Sequence, residues 1–396
     1  MAPFSQKLEP PQNPGRFILA ATAGVAHAQS SVTLYGVIDA GISYVNHSKN
    51  ATGGSSKLFK YDDGVAQGSR WGLRGTEDLG GGLKAIFVLE NGFNSGTGAL
   101  GQGGALFGRQ AYVGLSQSQY GTLTFGRQYS FSTDILGSNY STGGNTVAGN
   151  YAYHVNDVDQ LTSSRINNAV KFQSANYAGF TFGALYGFSN STDFAGAPGT
   201  GTTNSGGSSR AYSFGLNYAN GPFSLGAAYT DIRYPSQSTT PSGGSNFNTA
   251  LANISTGNVR DLRTYGVGGR YVWGPATAWL LWTRTQFSTV SGAGGTFYNA
   301  YEAGLKYAIT PALSAAAGYT YTNATQNGAS AHWNQGNLAL DYALSKRTDV
   351  YGLVIYQKAS GNNVQAQIGS STSYFNTSGN GSSNQIAARV GIRHKF

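Results

Sequence analysis

The feature that most constrains the fold of this sequence is an alternation of apolar and polar residues with a period of two. Near the start, Leu34, Ile38 and Ile42 alternate with Tyr35 and Asp39. The same alternation recurs in residues 212–218, 301–309 and 338–344. Side chains along a β-strand point alternately to opposite faces, whereas helices repeat every 3.6 residues, a period that is almost absent here. The sequence therefore predicts antiparallel strands, each with one apolar face.

The connections between these strands alternate between short turns and long loops. Short turns are predicted at residues 78–82, 118–121, 176–179, 220–222, 274–275, 310–311 and 345–348. Longer loops rich in Gly, Ser, Asn and Thr include residues 190–209, 233–259 and 361–383. A soluble β-sandwich also alternates apolar and polar residues, so the alternation alone does not decide. Hairpins with unequal connections instead indicate a sheet whose two ends face different environments.

Aromatic residues lie near the predicted strand ends, where a membrane interface would place them. Tyr271 and Trp273 precede the turn at 274–275, and Phe180 follows the turn at 176–179. Aromatic girdles of this kind flank the apolar band of transmembrane barrels. The connections delimit sixteen strands, which leaves about 23 residues for each strand and its connection once the first 28 of the 396 residues are set aside. We therefore predict a sixteen-stranded antiparallel transmembrane β-barrel with a water-filled lumen.

The N-terminal region has the composition of a secretory signal. Arg16 precedes a short apolar stretch, residues 17–26, which ends in an Ala-His-Ala cleavage site at residues 26–28. We expect residues 1–28 to be a cleaved signal peptide and residues 29–396 to form the barrel; a disordered tail is the alternative. The absence of cysteine fits an exported bacterial protein.

Charge and motifs argue against several classes of function. The formal net charge is +9, but Lys and Arg are dispersed singly, which argues against nucleic-acid binding. The five histidines show no metal-ligand spacing. No nucleophile elbow and no strand–GxGxxG–helix unit occurs. We therefore predict that the protein is not an enzyme and uses no cofactor.

One loop, residues 131–164, is unusually long, and loops of this length are usually functional or disordered. It carries Asp134, Asp157 and Asp159 among several aromatic residues, so we expect it to be ordered. If Arg109 faces the lumen, strand alternation places Ala111, Val113 and Leu115 there as well. An apolar inner patch would be explained if this loop folds inside against it.

Three arginines share the predicted inward parity and are candidates for lining a narrow passage: Arg70, Arg109 and Arg165. Arg74, Lys84, Lys171 and Arg270 are predicted to face the lumen elsewhere. Cations opposite a loop with carboxylates would create a transverse field and concentrate anions. The alternative is that these are solvated charges in a wide lumen without a selective role. Arg127 has the outward parity of Leu123 and Phe125, so we expect it at a rim or at a subunit contact.

The C-terminus repeats the alternation down to its aromatic last residue. Val390 and Ile392 alternate with inward Arg389, Arg393 and Lys395 before the chain ends at Phe396. We expect this segment to pair with residues 31–39 and thereby close the barrel.

Four stretches, "SSVTLYGVIDAGI", "SRWGLRGTEDLGGGLKAIFVLENGF", "FGRQAYVGLSQSQYGTLTFGRQY" and "VGIRHKF", resemble the Gram-negative general porins of the beta-proteobacterial type. The resemblance implies a homotrimer in the outer membrane whose third external loop folds inward. It places Arg70, Arg109 and Arg165 where wall arginines face acidic loop residues, here Asp134, Asp157 and Asp159. It also implies trimer contacts through N-terminal strands, association with outer-membrane lipid and lipopolysaccharide, and recognition of Phe396 by the barrel-assembly machinery.

The function expected from these features is passive diffusion of small hydrophilic or anionic solutes across the outer membrane, with a preference for anions. Two alternatives remain open at this point. One is a channel of the same fold dedicated to a single carboxylate or sugar. The other is a surface adhesin or receptor that acts through its long loops.

Overall fold

The computed structural model describes residues 31–49, 55–188, 210–233, 259–289, 295–326, 329–361, 364–369 and 382–396. The strands are β1 Ser31–Lys49, β2 Ser55–Asp63, β3 Arg70–Gly80, β4 Leu83–Gly92, β5 Gln110–Gln117, β6 Gly121–Tyr129, β7 Arg165–Ser174, β8 Phe180–Gly187, β9 Arg210–Asn220, β10 Phe223–Arg233, β11 Val259–Trp273, β12 Ala276–Thr289, β13 Thr296–Ala308, β14 Leu313–Gln326, β15 Ala329–Ala343, β16 Thr348–Gly361 and β17 Asn384–Lys395. Short helical turns span Gln102–Gly104, Ser132–Gly137, Ser138–Tyr140, Thr142–Asn145, Gly149–Ala152 and Val155–Asp157. The predicted signal peptide and most of the predicted loops 190–209, 233–259 and 361–383 lie outside the described residues.

The strands form one antiparallel sheet that closes on itself. β1 pairs with β17 from Val37 opposite Lys395 to Val45 opposite Ala387. Beyond β17, the backbone N–H and C=O groups of Phe396 exchange hydrogen bonds with those of Gly36, each 3.0 Å long. The two terminal strands therefore pair and close the barrel, as a bilayer requires. The expected register is only partly correct, because β17 runs along residues 37–45 of β1, whereas most of residues 31–39 pair with β3.

The seventeen strand segments fill sixteen positions around the barrel. β2 and β3 pair with the same edge of β1, β2 along residues 40–49 and β3 along residues 31–37. Residues 64–69 connect the two and interrupt what is otherwise one spanning strand. The predicted sixteen-stranded barrel is thus correct. None of the helices in the described ranges is long and apolar enough to cross a membrane.

Alternate rows of side chains face opposite sides of the wall. On β1, Val32, Leu34 and Ile42 are about 60% exposed, whereas Asp39 and Ser43 are completely buried. Exposed apolar rows recur on the other strands, which is the pattern of a lipid-facing surface around a polar interior. Near the long-loop ends, outward aromatic rings approach one another from strand to strand, with centroids 5.2 to 6.5 Å apart, at Tyr186–Tyr212, Tyr229–Tyr265, Tyr265–Trp282 and Tyr301–Tyr321.

Residues 130–164 lie against the inner face of this wall. The Phe131 backbone N–H donates to Ser213 Oγ at 2.9 Å, and Ser132 Oγ lies 2.8 Å from Thr230 Oγ1. Further along the segment, the Tyr151 hydroxyl lies 2.9 Å from Ser43 Oγ. Ser43, Ser213 and Thr230 all belong to inward rows and are buried. The segment therefore runs across the interior and is tied to strands on opposite parts of the barrel.

Glycines in the wall make room for this segment. A Cβ atom at Gly268 would lie 2.4 Å from Tyr140 Cβ, and one at Gly183 would lie 2.2 Å from the Phe131 ring. Both distances are far shorter than van der Waals contact allows. Some of the abundant glycine in the strands is therefore explained by the close approach of the internal segment.

The expectation that Ala111, Val113 and Leu115 face the lumen is wrong. Val113 and Leu115 are 58% and 48% exposed and belong to the outward face, together with Ala111. Arg109 nevertheless points inward because it precedes β5, so the alternation of that strand does not extend back to it. The internal segment packs against glycine-containing strands on another part of the wall.

Candidate pore constriction

A cavity of about 900 Å³ lies between residues 130–164 and the wall, and most of its charged lining is cationic. The cationic side chains are Arg70, Arg109, Arg127, Arg165, Lys306, Arg393 and Lys395. The acidic side chains are Glu90, Asp134 and Asp341. Seven cations against three carboxylates leave an excess of four positive charges around the water-filled space. The structure thus brings together Arg70, Arg109, Arg165 and Asp134 of the predicted set.

Glu90 links two of the wall arginines. Its Oε1 lies 2.7 Å from Arg109 Nε, and its Oε2 lies 3.6 Å from Arg70 Nε. The Tyr35 hydroxyl donates a third bond, 3.0 Å long, to the same carboxylate. The Glu90 side chain is only 6% exposed, whereas the arginines expose 14% and 23% of theirs. This carboxylate therefore fixes the two guanidinium groups, which are more exposed to the cavity than it is.

Tyr129 positions the third arginine beside the first two. Arg165 Nε donates to the Tyr129 hydroxyl at 3.2 Å. The guanidinium carbons of Arg165 and Arg109 lie 5.0 and 5.9 Å from the centre of the same ring. A cation over an aromatic ring is held at a defined place while keeping part of its surface exposed to water. Glu90 and Tyr129 together arrange the three arginines along one side of the cavity.

The structure corrects the expectation for Arg127. This residue lines the cavity, and its Nε donates to the Gly108 carbonyl at 2.8 Å while a terminal nitrogen contacts Asn167. The pairing of β6 with β7 shifts register between Gly126 and Gln128, and Gly126 has a φ of +135°. The extra residue of this shift lies on β7, and the positive φ of Gly126 interrupts the regular strand geometry of β6, so the parity of Leu123 and Phe125 does not extend to Arg127.

Asp134 lies in the internal segment and lines the cavity. Its carboxylate pairs with Lys171, while 40% of the side chain stays exposed. Lys171 Nζ also donates to the Tyr129 carbonyl at 2.9 Å. Lys171 is therefore inward, as expected, but it ties the internal segment to the wall. Asp134 is the predicted carboxylate that lines the same cavity as the three arginines.

Asp157 and Asp159 do not line the cavity, contrary to expectation. The two residues are 3% and 1% exposed, so they are buried by the internal segment to which they belong and by its surroundings. Asp159 Oδ2 lies 2.5 Å from His154 Nδ1 and accepts a 2.7 Å bond from Thr283 Oγ1. The other ring nitrogen of His154 lies 2.8 Å from Glu302 Oε2. These groups form a buried anchor that holds residues 154–159 to strands β12 and β13.

Two groups of this anchor have displaced pKa values. Burial opposes a charge on His154, but the carboxylates of Asp159 and Glu302 raise the pKa of His154 to about 10. Burial, reinforced by the charge of Asp159, raises the pKa of Asp157 to about 8. At neutral pH the anchor therefore holds a protonated imidazole between two carboxylates and a protonated Asp157.

The anchor is expected to weaken as the pH rises. The folded state keeps a proton on Asp157 between about pH 4 and 8, and one on His154 between about pH 6.5 and 10, that the unfolded chain has lost. Stability should therefore fall across this range, most steeply between about pH 6.5 and 8, by up to about 1.4 kcal/mol per pH unit for each proton. Urea midpoints measured from pH 5 to 10 test this. His154→Gln should remove the slope above pH 8 and Asp157→Asn the slope below pH 6.5; unaltered slopes would contradict the assignment.

The remaining predicted lumen-facing cations lie on inward rows outside this cavity. The Arg74 guanidinium lies 5.4 Å from the centre of the inward Tyr35 ring. In the sheet register, Lys84 stands opposite Asp78, and Arg270 stands opposite Ser224, which is buried. Glu90 and Tyr129 were not among the residues predicted from the sequence to belong to the site. Glu90 is a polar residue on an inward row within "FVLENGF", which was the available signal.

Known outer-membrane porins are similar to this chain over nearly its whole length. A family model described as Gram-negative porin matches residues 17–363. An outer membrane porin protein of Bordetella pertussis is 33% identical, with 96% of this chain and 98% of that protein aligned. Outer membrane porin protein 32 of Delftia acidovorans is 30% identical, over 95% and 97% of the two chains.

Solved structures give the same result for the fold. An anion-selective porin from Comamonas acidovorans superposes with a TM-score of 0.68 and 26% identity, over 93% of this chain and all of that one. A trimeric form of the Vibrio cholerae outer membrane protein OmpT gives a TM-score of 0.60 at 16% identity, over 93% and 99% of the two chains. At that lower identity, the likeness is one of fold alone.

Proposed function

This chain belongs to the family of Gram-negative porins, and on that premise we propose that its cationic cavity gives an outer-membrane diffusion channel a preference for anions. The observation that carries the proposal is the excess of cations over carboxylates around the cavity. Positive charge in a narrow aqueous passage raises the local concentration of anions and lowers that of cations. The anion-selective porin of Comamonas acidovorans supports the same direction.

We propose that residues 130–164 narrow the channel and that Arg70, Arg109 and Arg165 face Asp134 across its tightest part. The arginines are fixed by Glu90 and Tyr129, and Asp134 by Lys171, so the opposed charges are held in place before a solute arrives. A fixed transverse field orients dipolar solutes as they pass. The anchor at His154 keeps the segment against the far wall and so keeps the passage open.

A liposome swelling assay tests passive diffusion. Neutral sugars of increasing size should enter liposomes that contain the protein at steadily decreasing rates, without saturation, because no sugar is bound on the way through. Saturable entry of one sugar or carboxylate would favour the dedicated channel. Absence of entry for every solute would contradict the diffusion function and favour an adhesin or receptor. Protein-free liposomes set the background rate.

We propose that the protein acts as a homotrimer, supported by its family and by the trimeric form of OmpT. Outward residues of the N-terminal strands offer an apolar surface for the contact: Val32, Leu34, Ile42 and Phe59 are 58% to 73% exposed.

We further propose that residues 1–28 are removed as a signal peptide, that the terminal Phe396 is recognised by the barrel-assembly machinery, and that lipopolysaccharide surrounds the outer half of the barrel. No catalytic activity is proposed.

A further inference from the structure

Residues 64–69 leave the wall of the barrel and enter its lumen. These six residues stand opposite only two residues of β1, Ile38 and Asp39. Gly64 has a φ of +69°, and a Cβ atom there would lie 3.0 Å from the Gly68 Cα atom, so the excursion turns back on itself. Part of it borders the cavity described above. We call residues 64–69 the inner bulge.

A chain that leaves a sheet needs new partners for its backbone N–H and C=O groups. Two carbonyls of the inner bulge find them in the internal segment. The Asn150 backbone N–H donates to the Val65 carbonyl, and the Asn150 side-chain amide donates to the Gly64 carbonyl, each at 2.7 Å. A third carbonyl, that of Gly68, accepts a bond from Arg70 Nη1 at 3.0 Å. The inner bulge therefore joins the internal segment to one of the wall arginines.

The internal segment is shaped to approach the inner bulge closely at this point. Gly149 has a φ of +50°, and a Cβ atom there would lie 2.0 Å from the Val65 carbonyl oxygen. Glycine is therefore required at this position, both for the backbone conformation and for the space. Val65 and Ala66 are 0% and 6% exposed and belong to one buried cluster with most of residues 147–152. We call residues 147–152 the tip of the internal segment.

Other polar bonds hold the tip against the wall beside the inner bulge. The Tyr151 hydroxyl donates to the Asp62 carboxylate and lies 2.9 Å from Ser43 Oγ. The Gln335 side-chain amide lies 3.3 Å from the Ala152 carbonyl oxygen. All of these bonds must break before the tip can leave the wall. The loss of any one of them therefore raises the population of the released state by the factor that this bond contributes.

The tip and the inner bulge cover one sector of the inner wall, formed by β15, β16, β17 and β1. Inward residues of these strands belong to the same buried cluster as the tip, and each is at most 6% exposed: Val45, Ala339, Tyr351, Leu353, Ile355 and Ala387. Ions therefore have no room between the tip and this sector. The wall around Arg70, Arg109 and Arg165 instead borders the open cavity.

We propose that the inner bulge is a positioning element of the channel, which pins the tip so that solutes pass beside the arginines and not over the covered sector. The inference rests on the diffusion channel proposed above and adds the part of the chain that decides where in the lumen solutes pass. The same element holds Arg70 through the Gly68 carbonyl. If the tip left the wall, ions could pass a Debye length or more from the arginines, where their attraction is screened. The passage would then be wider and less selective.

The test measures how fast a water-soluble thiol reagent modifies Ser43→Cys in the folded protein. The chain has no cysteine of its own, and Ser43 is completely buried beside Tyr151, so modification at position 43 requires release of the tip. In this background, Asn150→Ala should raise the rate about 5-fold, the factor for one hydrogen bond between neutral groups. Gly149→Ala should raise it at least about tenfold, because its methyl group would meet the Val65 carbonyl at a positive φ.

Two controls are matched to these variants. Asn145→Ala shortens a side chain that lines the same cavity, but its amide donates to the Asn139 and Ser141 carbonyls within the internal segment. Gly98→Ala strains a backbone with a φ of +72°, where a Cβ atom would have no atom of the described residues within 4 Å. Both should leave the modification rate unchanged. Unchanged rates in the two tip variants, or equal increases in the controls, would overturn the proposal.

Reversal potentials of the same variants, without the cysteine, give a readout that a purely structural role would not move. Gly149→Ala should lower the anion-to-cation permeability ratio about twofold, because part of the current would run beyond the screening length from the arginines. Faster modification with unaltered selectivity would contradict the claim that the tip confines the passage. If Gly149→Ala does not fold, Asn150→Ala carries both measurements. A protein that conducts no ions would refute the channel function, and the modification rates would still decide whether the inner bulge pins the tip.

Discussion

Replacing Arg165 with glutamate is expected to shift the anion-to-cation permeability ratio of the channel about tenfold toward cations. A unit charge about 6 Å from a monovalent ion is worth roughly 0.4 kcal/mol in water after screening at 0.1 M salt. Reversing its sign acts on anions and cations in opposite directions, so the effects multiply. Arg165 suits this test because its guanidinium lies over the Tyr129 ring and donates to the Tyr129 hydroxyl.

The measurement is the reversal potential of variant channels in a planar bilayer with a salt gradient. Arg165→Gln should give about half of the shift on a logarithmic scale, and Arg165→Lys should give nearly none. Arg74→Gln, an inward residue outside the cavity, is the control for a general loss of positive charge. Selectivity that is the same in Arg165→Glu and in the unaltered protein would show that this arginine does not line the permeation path.

Replacing Arg389 with methionine is expected to destabilise the barrel by about 3–5 kcal/mol, because it leaves the Asp39 carboxylate buried without its cation and leaves Asp62 with Lys60 as its cationic partner. The Arg389 side chain is completely buried, as is Asp39, and Asp62 is 7% exposed. Its terminal nitrogens lie 3.3 Å from Asp39 and 3.9 Å from Asp62. Its Nε donates to the Tyr351 hydroxyl at 2.9 Å. This one side chain connects β17 to β1, β2 and β16 at the seam of the barrel.

Urea unfolding followed by heat-dependent mobility on gels measures the loss. Arg393→Gln is the matched control on the same strand, because Arg393 and its partner Asp349 are both 11% exposed and stay in reach of water. Its loss should be no more than about 1–2 kcal/mol. Adding Asp39→Asn to Arg389→Met should restore part of the stability. Equal losses at Arg389 and Arg393 would contradict the role assigned to the buried network.

The wall of the barrel was predictable from the sequence because strand parity is a local property. Alternation over β1 and over the C-terminal segment sufficed to predict that these two strands pair, although the pairing runs from Val37 to Val45 and not along residues 31–39 as expected. Parity fails where the chain is not a regular strand. Arg109 precedes β5, and the positive φ of Gly126 interrupts β6 just before Arg127, so neither side chain follows the alternation of its neighbours.

The internal segment was harder to predict because its contacts are distant in sequence. Asp157 and Asp159 look like exposed carboxylates in a polar loop, but Asp159 meets His154, whose other ring nitrogen meets Glu302, 148 residues away. Nothing local indicates that partner. Glu90 likewise becomes a member of the site only once β4 and β5 bring it beside Arg109.

The reversal potential of the unaltered protein is the most direct measurement of the channel's selectivity. The channel should show ohmic conductance steps in a planar bilayer and, in a tenfold potassium chloride gradient, a reversal potential with the sign of chloride preference. That sign follows from seven cations facing three carboxylates around the cavity. A reversal potential of the opposite sign, or one of zero, would contradict the assignment of this cationic cavity as the selective part of the channel.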